Sequence, residues 1–454
     1  MSNPVRPLAA IILAAGQGTR MKSDLHKVLH PIAGRPMLLH LIASAAELAP
    51  QRMMVVVGAR REQVEHAIAT TGAEVVHQVE QLGTGHAVAQ AEAAMRGFAG
   101  DVVILYGDAP LVTPDTMRRM VARLHDHDLP ACVVLGFRPT DPAAYGRVIA
   151  GADGRIVKMV EHKDASAEER AETLCNSGLM AVRGEDLFAL LARVGNQNAA
   201  GEYYLPDIVM LAEADGRHSA VIETDADEVA GVNSRGELAG VEANWQARRR
   251  ARAMADGASL QAPETVWFAH DTVIGRDVTI EPNVVFGPGV SVADGAVIHA
   301  FSHLEGAKVA TGASIGPYAR LRPGTVIGEG AKVGNFVETK KAVLGKGAKV
   351  SHLTYLGDAT VGADANIGAG TITCNYDGFF KYDTVIGEGA FVGSNSALVA
   401  PVTIGAGAII AAGSVITRNV EADALALVRP EQKAKPGWAK RFRELMSARK
   451  KAAK

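Results

Sequence analysis

Hydrophobic positions along this chain follow two different periods. Over roughly the first 230 residues, short apolar runs alternate with stretches whose apolar residues recur at helical spacing. LAAIILAA (8–15), MMVVVG (53–58), AEVVHQ (73–78), DVVILYGD (101–108) and ACVVLGF (131–137) read as buried strands. REQVEHAIAT (61–70) and HAVAQAEAAM (86–95) read as helices between them. Val- and Ile-rich strands alternating with helices predict a mostly parallel sheet covered on both faces, with ligands beyond the carboxyl ends of its strands. Residues 233–256, charged, Ala-rich and without Pro, predict a connecting helix. From about residue 265 the apolar period becomes six. Ile274, Ile280, Phe286, Val292, Ile298 and Leu304 keep it strictly. After a one-residue slip, Ile315, Leu321, Ile327 and Val333 resume it, and Ile386, Val392, Leu398, Ile404, Ile410 and Ile416 repeat it near the end. A hexapeptide period predicts a parallel β-helix with three repeats per triangular coil, the aliphatic residue pointing inward and small residues at the corners. TCNYDGFFKYD (373–383) breaks the period and predicts a loop that bulges from the scaffold, a good place for function.

Composition supports this division and narrows the chemistry. A chain of 454 residues exceeds one core, and 48 glycines with only 5% aromatics suit a glycine-periodic half. With 47 basic against 49 acidic residues there is no global field for nucleic acid, so anion binding must be local. Cys132, Cys175 and Cys374 lie far apart with no CxxC, which offers no disulfide or zinc framework and suits a reducing compartment. No apolar run approaches the roughly 18 residues of a membrane span, and no signal-peptide pattern opens the chain. The expectation is a cytoplasmic protein with no membrane span and no nucleic-acid partner. The tail after Arg429 is basic and reads as a solvated extension, with Lys433 to Arg443 also able to lie near a phosphorylated ligand.

The first strand stops on Gly16-Gln17-Gly18, and three ligands compete for such a loop: a dinucleotide, a P-loop phosphate, or a nucleoside triphosphate about to be split. The dinucleotide fingerprint needs a third glycine where Met21 stands, and the GK[ST] of a P-loop is absent. What remains is a glycine loop whose amides can face phosphates, with Arg20 and Lys27 behind it to neutralise a triphosphate. A turn with surface charges is the plainer alternative. Asp108, ending the strongest strand, can hold Mg²⁺ against phosphates or merely cap a helix. QLGTGHA (81–87) and EHKDA (161–165) add a second glycine loop and a carboxylate.

LAAGQGTRM followed by Lys27 resembles the sugar-nucleotidyltransferase signature. QLGTGHA, YGD, YGRV, VEHKDA, NSG, GEYYLPDI and GVNSR then follow in family order. With the hexapeptide half, nearly the whole chain before the tail is similar to the bacterial bifunctional UDP-N-acetylglucosamine pyrophosphorylase/glucosamine-1-phosphate N-acetyltransferases. The resemblance implies an α/β plus all-β fold: a Rossmann-like nucleotidyltransferase domain (1–232), a linker helix (233–257) and a left-handed β-helix acetyltransferase domain (258–454). It implies that Leu13, Ala14, Ala15, Gly16 and Lys27 bind UTP, with Arg20 near the phosphates. Gln78, Gly83 and Thr84 then face the uracil, and Tyr106, Gly107 and Asp108 cover the nucleotide. Gly146, Glu161 and Asn176 hold the sugar, and Asn233 joins Asp108 on Mg²⁺, a role for an N-cap-like residue that sequence alone does not suggest. Two letters depart from the family: Gln17 stands where many relatives carry lysine, and Pro206 replaces a common threonine, touching backbone geometry more than chemistry.

Acyl transfer from a thioester needs a deprotonated amine, and histidine is the usual base. A lone histidine on a β-helix is more often a surface residue; His352 in KVSHLTYLGD is the one flanked by polar and aromatic neighbours, and the resemblance makes it the base. By the same resemblance Arg322 and Lys340 bind the sugar phosphate, Tyr355 and Asn366 contact the sugar, and the loop adds Asn375 and Tyr376 beside the acetyl group, with Lys381. Ala369, Ser394, Ala412 and Arg429 match positions along acetyl-CoA, Arg429 suiting its phosphates. UTP, acetyl-CoA and hexosamine 1-phosphates are the implied substrates, and a homotrimer the implied assembly.

Overall fold

The computed structural model describes residues 6–453. The chain separates into two compact units, one up to Arg249 and one from Arg250. The boundary falls inside a helix, Arg235–Ala255, as the Pro-free Ala/Arg-rich composition predicts. Ser234, not Asn233, caps it, its hydroxyl accepting from the amide of Glu237 at 3.2 Å.

In the first unit the apolar runs form a nine-stranded sheet. Its strands are β1 (Leu8–Ala14), β2 (Arg52–Val57), β3 (Glu74–His77), β4 (Asp101–Tyr106), β5 (Cys132–Phe137), β6 (Arg147–Ala150), β7 (Ile156–Val160), β8 (Cys175–Arg183) and β9 (Ala220–Thr224). The order across the sheet is β9-β5-β8-β4-β1-β2-β3, with β6 pairing β8 and β7. Pairing is parallel except around β8 and the β6–β7 hairpin, so the sheet is mixed. Alternation along β1 explains burial on both sides: Ala9, Ile11 and Leu13 pack into one core with Ile104 and Leu187, while Ala10, Ile12 and Ala14 pack into the other with Leu38 and Leu41. AEVVHQ is a strand but not a buried one. As β3 it pairs only β2, lies at the sheet edge, and leaves Val75 39% exposed.

The second unit is a parallel β-helix of the left-handed, hexapeptide type. Short strands from Ser259–Leu260 to Leu425–Ala426 stack in register, ten of them on one face and fourteen on the joined other faces. Ile298, Ile315, Val333, Val350, Ile367, Val392 and Ile410 pair in succession and are all buried, so the six-residue period is the inward ladder of the coils. Ile274, near one end, is only half-buried. Residues 375–383 leave the ladder between the strands Ile372–Cys374 and Thr384–Ile386, and Phe379 and Phe380 at the loop tip are 86% and 68% exposed. The tail is exposed as expected, but it is not formless: Trp438–Ala452 is a helix.

Candidate active sites

β1 and β4 run side by side, so their carboxyl ends deliver two loops to one place: Leu13 pairs with Tyr106, and the amide of Gly107 donates to the carbonyl of Leu13 at 2.9 Å. Leu13, Ala14, Ala15, Gly16, Lys27, Gln78, Gly83, Thr84, Tyr106 and Asp108 line one pocket of about 360 Å³. Ten positions scattered over the sequence thus converge because parallel strands end at one edge. Gln81 joins them, its Nε2 donating to the carbonyl of Ala15 at 2.8 Å and tying the second glycine loop to the first. Burial raises the pKa of the Tyr106 phenol, which also hydrogen-bonds Thr84, so the hydroxyl stays neutral. Arg20 is elsewhere: it lies exposed on the short turn Thr19–Met21 and is not part of this wall.

At the pocket floor Lys27 Nζ lies 2.5 Å from Asp108 Oδ2 and 3.0 Å from Asn233 Oδ1. Asn233 arrives there from the segment preceding the long helix, where its own amide donates to Glu237. One carboxylate and one amide oxygen, already drawn around a cation, are the hard donors that Mg²⁺ takes alongside substrate phosphates. The donor chemistry fits that ion.

A second pocket of about 290 Å³ contains Gly146, Glu161 and Asn176 together with Tyr204, Pro206 and Asp207. Gly146 packs closely against Glu161: a Cβ there would sit 3.2 Å from the carboxylate, which would have to shift slightly. Burial, then repulsion from Asp207, raises the Glu161 pKa, and burial does the same to Asp207. Pro206 therefore borders the candidate sugar site directly. The sequence reading placed it in backbone geometry.

On the β-helix, residues at equal steps around successive coils stack into columns. Asn335 pairs with His352, and the ladder register carries the column on through Ala369, Ser394 and Ala412. His352 Nδ1 meets Asn335 Oδ1 at 2.5 Å. An amide oxygen only accepts, so Nδ1 carries the proton and Nε2 keeps its lone pair for chemistry. The small residues Ala369, Ser394 and Ala412 continue that column, and Arg429 donates to the carbonyl of Ala412 at 2.7 Å. Asn366 stands on the same face, one residue before the inward Ile367.

Arg322 and Lys340 occupy successive coils at another corner, set there by the pairing of Leu321 with Thr339. Arg322 donates to Glu338 at 2.8 Å. Lys381 from the loop comes beside Lys340, and its hydrogen bond and charge lower the Lys340 pKa, with a smaller push from Arg322. Three cations held against their own repulsion make an anion site. Tyr355 and Asn375 meet over Gly357, where a Cβ would lie 2.4 Å from the Tyr355 hydroxyl and 2.6 Å from Asn375 Nδ2. Asn375 also donates to Asp358, and the Tyr376 hydroxyl is turned along the loop to the carbonyl of Gly378. Asn335, Glu338, Asp358 and Gln81 escaped the sequence reading. Asn335 had a usable signal, standing one coil before His352.

Residues 10–168 match the MobA-like NTP transferase domain family, and residues 271–306 and 383–418 match the bacterial transferase hexapeptide (six repeats) family. Fold and sites define a two-part transferase, a nucleotidyltransferase joined to a hexapeptide acyltransferase. The chain is 70% identical to the bifunctional protein GlmU of Novosphingobium aromaticivorans over 98% of both chains. It is 69% identical to that of Rhizorhabdus wittichii over 99% of both, and 68% identical to that of Sphingopyxis alaskensis over 98% of both. The chain belongs to the bifunctional GlmU family.

Proposed function

We propose that the β-helix unit acetylates glucosamine 1-phosphate from acetyl-CoA and the first unit joins the N-acetylglucosamine 1-phosphate so formed to UTP, giving UDP-N-acetylglucosamine and diphosphate. The observation that carries this reading is the pairing, in one chain, of the Lys27–Asp108–Asn233 cluster in a nucleotide-sized pocket with His352 oriented by Asn335. In the acetyl transfer, His352 Nε2 takes a proton from the amine, the amine nitrogen attacks the thioester carbonyl, and the C–S bond breaks to release CoA, which recovers the proton. Arg322, Lys340 and Lys381 hold the sugar phosphate, Tyr355 and Asn366 the sugar, Asn375 and Tyr376 the acetyl end, and Ala369, Ser394, Ala412 and Arg429 the coenzyme. In the uridylyl transfer, an anionic oxygen of the sugar 1-phosphate attacks the α-phosphorus of UTP and the bond to the bridging oxygen of pyrophosphate breaks. No base is needed, so positioning and charge neutralisation do the work. Asp108 and Asn233 would hold Mg²⁺, which supplies countercharge to the phosphates when bound. Leu13 to Gly16, Gln78, Gly83, Thr84, Tyr106 and Gly107 seat the nucleotide, and Gly146, Glu161 and Asn176 the sugar.

The division of labour follows residues 1–232, 233–257 and 258–454, and the protein works as a cytoplasmic homotrimer. Exchange of His352→Ala tests the assignment. CoA release from acetyl-CoA and glucosamine 1-phosphate should fall by roughly 10²–10⁴, while pyrophosphate release from UTP and N-acetylglucosamine 1-phosphate persists. Loss of both activities together would show His352 to be a structural residue instead.

A further inference from the structure

Three strands meet at the candidate sugar pocket, and Arg147 stands where they meet. As the first residue of β6 it pairs with Val160 of β7 and with Cys175 of β8. Gly146 before it, Glu161 after Val160 and Asn176 after Cys175 thus reach one wall, and the amide of Asn176 donates to the carbonyl of Gly146 at 2.9 Å. The Arg147 side chain is 3% exposed, and every oxygen it donates to is a backbone carbonyl. Nη1 reaches those of Tyr145 and, at 3.3 Å, Pro142; Nη2 reaches those of Ala143 at 3.2 Å and Arg170 at 3.5 Å. Three of these carbonyls belong to the loop 141–145, which has no strand ladder or helix of its own to satisfy them. The fourth ends the short helix Ala167–Arg170. The loop is drawn tight: Ala143 stands at φ 36°, its amide donates to Asp141 at 2.9 Å, and the Tyr145 ring lies edge-on to Phe137 at 4.9 Å. Burying a cation among neutral groups costs more than burying an apolar chain of the same volume. What the guanidinium supplies is geometry, one fork that fixes four carbonyls.

We propose that Arg147 is a positioning residue of the uridylyl transfer: its guanidinium clamps the loop 141–145 to the end of the helix Ala167–Arg170, so that Gly146, Glu161 and Asn176 keep the spacing that seats the sugar phosphate. This rests on the nucleotidyl-transfer reading above. The clamp acts on the sugar and not on the nucleotide, because the pocket lined by Lys27, Thr84 and Asp108 takes no residue from the loop, from β6 or from β7. Lysine cannot replace it, since an ammonium keeps the charge but lacks the planar fork that spans carbonyls on two sides. Without the fork the loop carbonyls lose their donors, Ala143 relaxes from its left-handed backbone, and Gly146 shifts against Glu161. The fit there is close, with room for barely a Cβ at 3.2 Å, so a small shift is felt by the bound sugar.

Arg147→Lys and Arg147→Ala test this by the split between the two substrates. Either exchange should raise KM for N-acetylglucosamine 1-phosphate and cut kcat/KM for it by roughly 10²-fold, the loss expected when a binding group is misplaced by about 1 Å. KM for UTP and the rate of CoA release in acetyl transfer should stay at wild-type values. Guanidinium chloride at millimolar concentration should lower the raised KM of Arg147→Ala, whose cavity fits the missing head group, and leave Arg147→Lys unchanged. Amide hydrogen exchange over residues 141–148 should quicken in both variants, and slow again in Arg147→Ala when guanidinium is added. The proposal is overturned if either folded variant keeps the wild-type KM for the sugar phosphate, if KM rises equally for both substrates, or if guanidinium restores nothing. Where Arg147→Ala does not fold, the KM split in Arg147→Lys decides alone. A wild type that makes no UDP-sugar, with loop exchange still quickened by the variants, would instead overturn the nucleotidyl-transfer reading and leave the clamp standing.

Discussion

His26 stands immediately before Lys27 and shows how a residue can be decided by its surroundings. It is 1% exposed, its Nδ1 accepts from the amide of Val28, and its Nε2 has no hydrogen-bond partner. Burial, with repulsion from Lys27 and Arg60 behind it, lowers its pKa from 6.5 to about 4. Protonation therefore favours the unfolded chain. The stability that neutral His26 permits is fully present above pH 6.5 and is lost as pH falls toward 4, on the order of 3 kcal/mol across that window. Denaturant titrations at stepped pH should show this loss in the wild type and a flatter acid limb in His26→Gln. An identical slope in the variant would assign the acid sensitivity to other groups. The same contrast runs through the sites. Asp108 and His352 are legible in sequence because each stands in a short motif, YGD and KVSHLTYLGD, that the family resemblance picks out. Asn335 and Gln81 are not, because each acts on a residue or backbone carbonyl brought to it by the fold.

At the scale of elements, the hexapeptide ladder is the firmest inference the chain permits, since one inward side chain every six residues leaves almost no other fold. Ile315 is fully buried between Ile298 and Val333 of the neighbouring coils. Truncation to Ala opens a cavity that close-stacked coils cannot collapse, at a cost of about 2–5 kcal/mol. Ile315→Ala should lower the calorimetric transition of the β-helix and leave that of the first unit in place, because the two units bury separate cores; a common shift of both transitions would refute that separation. Elements whose burial depends on neighbours were harder to read. AEVVHQ carries the apolar letters of a central strand, but strand order puts it at the sheet edge. The tail looked like a solvated run of charge, and only local helix propensity over Trp438–Ala452 gives it form.

Over the whole molecule, two chemistries share one chain but not one set of groups. The oxygen donors Asp108 and Asn233 lie in the unit up to Arg249, and His352 in the unit from Arg250. Chelation of divalent metal should accordingly stop pyrophosphate release and leave CoA release within about two-fold, the proton transfer at His352 needing only the imidazole and its amide partner. Equal loss of both activities on adding chelator would contradict that assignment. Among the described residues no helix is long and apolar enough to cross a membrane, in keeping with the absence of a long apolar run. By itself the sequence determined the two architectures, the six-residue ladder and the loop that interrupts it, because periodicity is a local property of a chain, while the candidate residues of both sites came through the resemblance of its short motifs to a family. Only the tertiary structure decided that Lys27 bridges Asp108 to Asn233, that Asn335 meets His352, that Pro206 lines one pocket with Gly146, Glu161 and Asn176, and that Arg20 stays outside the pocket lined by Lys27 and Asp108. Those relations join residues a coil, a domain edge or two hundred positions apart, and strand order and coil register, rather than any neighbouring letter, set the distances between them.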